Sequence, residues 1–267
     1  MAVNSNVRWE VTVNNDGRGW LTIDHSGGNG NGSFRINTTA NTGANERTGT
    51  IRVATAPPNQ GISRTITVTQ QGVIWNSDSS DVSFWRGAIN VSTQTVGSIP
   101  SYSHFPTLVT EARSAWSRAL GVPIGTGTRA NSQIHATGGT RREIEREYDQ
   151  IFSTRWDGVA VTEWNPDSAV RITAGGRSRT VRNLRGQARL YVVYEPRFWH
   201  LDTLRQQRGN REIMYMITLH ELGHALGYHG HSSNRNDVMY NRPYPPLRIH
   251  LTPTEQRHLR QIYSRFR

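Results

Sequence analysis

Two histidines four residues apart, His220 and His224, with Glu221 directly after the first, are the residues of this 267-residue chain best placed to do chemistry. On a helix, positions i and i+4 project to the same side, so both imidazoles can reach one metal ion. Glu221 stands beside the first ligand without occupying the metal. That suits a general base acting on a water made acidic by the ion. In a chain of this length and composition, a His-Glu-x-x-His pentad is expected by chance only about 0.02 times. Two histidines and a carboxylate merely decorating a helix are therefore a poor alternative. Gly227, three residues after His224, permits a left-handed cap that turns the chain sharply out of the helix. A third ligand can then come from the loop that follows, Tyr228-His229-Gly230-His231, before Asp237-Val238-Met239-Tyr240.

Several elements must position this pentad. Its own helix is predicted over about 210–227. Phe105, Leu108, Val109, Ala112, Trp116 and Leu120 follow helical spacing, and Gly121-Val122-Pro123 stops the run. A last helix starts at Thr252 as N-cap, with Pro253 in the first turn and Glu255 completing a capping box, and its apolar face is Leu259, Ile262, Tyr263 and Phe266. Strands are predicted around 132–136, 159–161 and 188–194, the last closed by Pro196. This mixed α+β portion is expected to occupy residues 74–267. The boundary falls in the polar, turn-rich stretch Asn76-Ser77-Asp78-Ser79-Ser80-Asp81.

The first 73 residues read differently. Trp9, Val11 and Val13 alternate with polar positions, as do Leu21 and Ile23, Phe34 and Ile36, Ile51 and Val53, and Ile66 and Val68. Clusters of Gly, Asn and Pro separate these runs, notably Gly27-Gly28-Asn29-Gly30-Asn31-Gly32. Short alternating strands between turn clusters predict an all-β sandwich with one solvated face. His25 is the only His here, and no titratable cluster suited to chemistry is present.

Composition removes other classes. The chain has no Cys, so disulfides, thiolate metal ligands and thiol nucleophiles are absent. No apolar stretch approaches the ~20 residues of a membrane span. All 31 basic residues are Arg, and the net charge is +11. Residues 1–73 hold 6 Arg against 4 acids and residues 74–267 hold 25 against 16, with six Arg between Arg171 and Arg189. No helix-turn-helix, zinc finger or aromatic RNA-binding signature accompanies them, so no nucleic-acid partner is expected. Arg without Lys reads as a coding bias. Calcium sites are not readable from the scattered Asp, and no His/Asp cluster in 125–190 suggests a structural zinc.

Trp9-Glu10-Val11, Gly19-Trp20-Leu21-Thr22-Ile23, Arg47-Thr48-Gly49-Thr50-Ile51 and the closing Thr67-Val68-Thr69-Gln70-Gln71-Gly72 resemble the BACON domain. That is a small immunoglobulin-like module of surface and secreted proteins of Bacteroidetes, named for a proposed role in binding carbohydrate or mucin. The resemblance implies either glycan binding or a spacer that lifts the next domain off a surface.

Residues 220–240 resemble the metzincin zinc endopeptidases, most closely the matrixin branch. His220, Glu221, His224, Gly227 and Met239 match its His-Glu-x-x-His-x-x-Gly-x-x-His signature and Met-turn, but the position of the third histidine is Gly230. His229 and His231 flank it. Matrixins place the turn methionine eight residues after the third ligand and follow it with Tyr; His231, Met239 and Tyr240 fit that register. The resemblance therefore implies His231, with one extra residue in the loop; His229, a carboxylate or water stand as alternatives. It further implies Zn²⁺ as cofactor, Glu221 as base, Met239 as an apolar floor under the imidazoles, and Tyr240 lining a substrate pocket. Asn241 stands where astacin-like relatives carry a zinc-binding Tyr, so no such ligand is expected. Tyr228 is a candidate oxyanion-stabilising group, against the blander reading of rim packing. By the same resemblance, residues 189–195 form the edge strand that pairs with an extended substrate.

Together these readings predict a two-domain protein acting as a monomer. A β-sandwich over 1–73 is followed by a metzincin-type α+β domain over 74–267 that hydrolyses protein or peptide substrates. Ala2–Val7 is too polar to begin a signal peptide. A secreted or surface-exposed protein is still expected, its export segment lying outside this chain. The rival expectation is a glycan- or mucin-binding surface protein in which the zinc domain is accessory.

Overall fold

Alternating apolar and polar residues become antiparallel strands in the first of two units, Met1–Val73, while the second, Ile74–Arg267, mixes helices with a largely parallel sheet. The computed structural model describes residues 1–41, 45–58, 61–97, 104–148, 158–194, 204–241 and 247–267.

The first unit is all β. Its main sheet has the order β4 (Gly27–Asn29), β2 (Arg8–Val13), β7 (Arg47–Thr55) and β8 (Ser63–Gln70). Two short antiparallel pairs complete it: β1 (Ala2–Val3) with β5 (Gly32–Ser33), and β3 (Leu21–Ile23) with β6 (Ile36–Thr38). Inward residues Trp9, Val11, Trp20, Leu21, Phe34 and Ile51 make the core. The glycine run has a packing reason. A Cβ on Gly28 would lie 2.5 Å from the Trp9 ring and one on Gly32 2.8 Å from it, so only glycines let the run wrap the indole. The indole N–H in turn donates to the Gly30 carbonyl at 2.8 Å.

The second unit is built on a sheet in the order β11 (Ile124–Thr126), β10 (Ile89–Val96), β12 (Ile134–Gly139), β15 (Arg177–Val193), β13 (Gly158–Trp164). The first four strands are parallel and β13 is antiparallel to β15. One face buries α1 (Phe105–Leu120), α3 (Leu204–Ala225) and α4 (Pro253–Phe266) in one large cluster; α2 (Arg141–Tyr148) covers part of the other through Ile144. All six helix-periodic residues of α1 are buried, and Gly121 ends the helix at φ +70°. In α4 the capping box forms in both directions, with Glu255 N–H on Thr252 Oγ1 at 3.3 Å and Thr252 N–H on Glu255 Oε2 at 2.8 Å.

The six-arginine segment is a hairpin. β14 (Val170–Ala174) turns through Gly175 and Gly176, both at positive φ, into the first half of β15, which also pairs with β9 (Asp81–Phe84). Here the structure corrects the sequence reading. Residues 189–193 are an interior strand, flanked by β12 and β13, and among the described residues β13 ends that side of the sheet. Glu195 and Pro196 lie outside the described residues. The reason is burial on both faces: Leu190, Tyr191, Val192, Val193 and Tyr194 are all at most 1 % exposed, which an edge strand does not permit.

Candidate metal centre

The pentad sits on the last two turns of α3, a helix pinned from several sides. From α1, the Trp116 indole N–H donates to the Leu219 carbonyl at 2.9 Å. At the C-terminal end, Trp85 Nε1–H donates to the Ala225 carbonyl at 3.0 Å and the Tyr263 hydroxyl to that of Leu226 at 2.9 Å. These bonds satisfy terminal carbonyls that have no partner within the helix. Gly227, at φ +107°, then turns the chain away, and a Cβ there would overlap the Ser83 carbonyl.

His220 and His224 are oriented by backbone. Their Nδ1 atoms lie 2.7 Å from the Val238 carbonyl and 2.6 Å from the Tyr228 carbonyl. Carbonyls accept only, so each Nδ1 carries the ring proton and each Nε2 presents a lone pair. Those two Nε2 atoms face each other at 3.0 Å. Neither can donate to the other, and a shared cation relieves that opposition. A tetrahedral zinc with Zn–N near 2.0–2.1 Å sets neighbouring nitrogens about 3.3 Å apart. His231 completes the set: one ligand atom from each of the three histidines lies within 4.8 Å of the others. Burial holds the His220 imidazole down to about 4, His224 well below its usual value, and His231 lowered as well, so all three are neutral donors at pH 7. The donor set therefore fits Zn²⁺. His229 serves otherwise, with its Nε2 2.8 Å from Ser83 Oγ.

Glu221 is 7 % exposed, and burial pushes its carboxyl up to about 8. It lies against β13. A Cβ on Gly158 would stand 2.7 Å from Glu221 Cγ and 2.8 Å from Oε1, so this glycine makes the approach of strand and carboxylate. Its role is not visible from periodicity alone.

Met239 is fully buried, and its backbone ties two segments together: its N–H donates to Glu255 Oε1 at 2.7 Å and its carbonyl accepts from Ser232 N–H at 2.8 Å. A Cβ on Gly223 would lie 2.5 Å from Met239 Sδ and 2.8 Å from Trp116 Cζ2, so the glycine inside the pentad lets the sulfur approach α3. Tyr240 and Asn241 line the same cleft of about 340 Å³ as the three histidines, Glu221 and Gly158–Ala160. The Arg248 guanidinium lies 5.1 Å from the Tyr240 ring. Tyr228 does not line that cleft. It is fully buried, and its hydroxyl donates to the Asn76 carbonyl, which removes it as an oxyanion donor.

Residues 76–81 read in the sequence as a polar junction, yet residues 76–79 brace the loop that carries His231. Asn76 N–H donates to His258 Nδ1 at 3.1 Å, Asn76 Nδ2 to Asp237 Oδ2 at 2.8 Å, and Asp78 contacts the backbone of His231 twice. Composition could not show this, because turn residues that satisfy buried backbone look like those of a linker.

In the first unit Trp9, Trp20 and Phe34 are the only aromatic residues, and all are at most 7 % exposed. No helix among the described residues is long and apolar enough to cross a membrane.

No curated protein matches the chain. Among solved structures it is similar to a Bacteroides ovatus GH5 xyloglucanase in complex with a XXXG heptasaccharide, at 11% identity and a TM-score of 0.26. That match covers 53% of this chain and 32% of the other, so the chain spans about a third of that protein's length. Residues 8–71 match the BACON family, described as "Putative binding domain, N-terminal".

Proposed function

We propose that residues 74–267 form a zinc-dependent endopeptidase of metzincin, matrixin-like type, acting outside the cell on extended protein segments. The observation that carries this reading is the meeting of three neutral imidazoles and a buried glutamate in one cleft lined by β13, which ends the sheet among the described residues. A zinc ion held by His220, His224 and His231 would polarise the scissile carbonyl and lower the pKa of an adjacent water. Glu221 takes the proton of the attacking water on its carboxylate and delivers it to the leaving amine nitrogen. β13, the last strand of the sheet among the described residues, would pair with an extended peptide and so order the scissile bond over the cleft. Met239 would serve as an apolar support beneath the imidazoles, and Tyr240 and Met216, which line the cleft, would receive a substrate side chain.

Hydrolysis of casein or gelatin by the full zinc-loaded chain, abolished by a chelator and restored by added zinc, tests the proposal. Equal cleavage with and without chelator contradicts it.

A second reading follows from the BACON match: a glycan- or mucin-binding surface protein whose zinc domain is accessory. Against it stands the burial of every aromatic ring in the first unit, which leaves no platform on which a sugar face could stack.

A further inference from the structure

The three histidines are held in different ways. His220 and His224 ride on α3, whereas His231 follows two residues at positive φ, Gly227 and Gly230, where the helix no longer supports the chain. Its support comes from residues 76–79. Asp78 Oδ1 accepts the His231 N–H at 2.7 Å, Asp78 N–H donates to the His231 carbonyl at 3.0 Å, and the Ser77 hydroxyl donates to the His229 carbonyl. Gly230 makes this closure possible. A Cβ there would overlap Asp78 Oδ1 and lie 2.8 Å from Ser79 Cβ. From behind, Arg179 Nη2 donates to the Ser77 carbonyl at 2.9 Å, and Asn76 is anchored on His258 and Asp237.

We propose that Asp78 is a positioning residue for the third metal ligand, and that residues 76–79 form a strap whose closure is coupled to metal occupancy. This rests on the zinc-centre reading above. Supporting bonds around a metal ligand are worth about 10–100-fold in affinity. Coupling is reciprocal: the factor by which the closed strap tightens zinc is the factor by which zinc favours the closed strap.

Zinc affinity of the full chain, measured by competition with a chelating dye, tests this together with amide hydrogen exchange over residues 76–80. Asp78→Ala is expected to bind zinc about 10–100-fold more weakly, with little change in the melting temperature of the metal-free protein. Asp78→Asn keeps an acceptor at Oδ1 and is expected within about fivefold of wild type. In the wild type, zinc slows exchange over 76–80; in Asp78→Ala that protection is lost. Unaltered affinity in Asp78→Ala, failure of Asn to rescue, or exchange indifferent to zinc each overturns the strap. A wild type that holds zinc but cleaves nothing overturns the peptidase reading alone. One that takes up no zinc overturns both.

Discussion

Gly158→Ala separates catalysis from metal binding in a single substitution. The added methyl would stand 2.7 Å from Glu221 Cγ and 2.8 Å from Oε1, where ordinary contact is 3.4–4 Å. Cγ is not the free end of the side chain, so the carboxylate must be displaced by roughly 1 Å. A misplacement of that size costs on the order of 10²-fold in rate. The three atoms nearest the new methyl all belong to Glu221, not to a histidine, and Gly158 has an ordinary backbone conformation that alanine tolerates. The expected result is a fall of about 10²-fold in kcat/KM for a fluorogenic peptide, with zinc stoichiometry and melting temperature close to wild type. Gly158→Ala cleaving at the wild-type rate, or failing to hold zinc, would refute this placement of Glu221.

Gly223→Ala drives a methyl towards Met239 Sδ and the Trp116 ring; overpacking of this kind costs about 1–3 kcal/mol, read as a lowered melting temperature by calorimetry. His258 is fully buried beside Tyr228 and Trp75 and near the Arg179 charge, and burial holds it down to about 3 against an unfolded value near 6.5. Above pH 6.5 it has no effect; as pH falls from 6.5 towards 3 the unfolded chain takes up the proton first, and stability drops by up to about 4–5 kcal/mol. Urea denaturation at stepped pH reads that slope, which His258→Leu should flatten. On a glycan array the full-length Glu221→Ala protein is expected to show no binding through its first unit, and a sugar-specific signal lost on mutating surface residues of 1–73 would favour the second reading.

What was legible in the sequence is what local chemistry determines. The pentad, the glycine after it, the α4 capping box and the buried stripe of α1 follow from spacing within one turn or two. The α2 capping box was open to the same reading: Thr140 and Glu143 bond reciprocally, Thr140 N–H to Glu143 Oε2 at 3.3 Å and Glu143 N–H to Thr140 Oγ1 at 3.4 Å. Strand order was not legible from alternation, which does not say which strand lies at the edge. The unbroken apolar run 190–194 did carry a signal of burial on both faces, and it outweighs an assignment by resemblance. Residues 76–81 illustrate the opposite limit. Asn, Ser and Asp serve a solvated linker and a clamp on a loop equally well, and only long-range partners such as His231, Asp237 and His258 distinguish the two.

The most direct test of the central claim is hydrolysis by Glu221→Gln, measured beside its zinc content. Glu221→Gln keeps the shape of the side chain and leaves all three imidazoles in place, but removes the group that accepts the proton. Bound zinc equal to wild type, with peptide hydrolysis reduced by about 10²–10⁴-fold, is the expected result. Hydrolysis at the wild-type rate by the zinc-loaded Glu221→Gln protein would contradict the account.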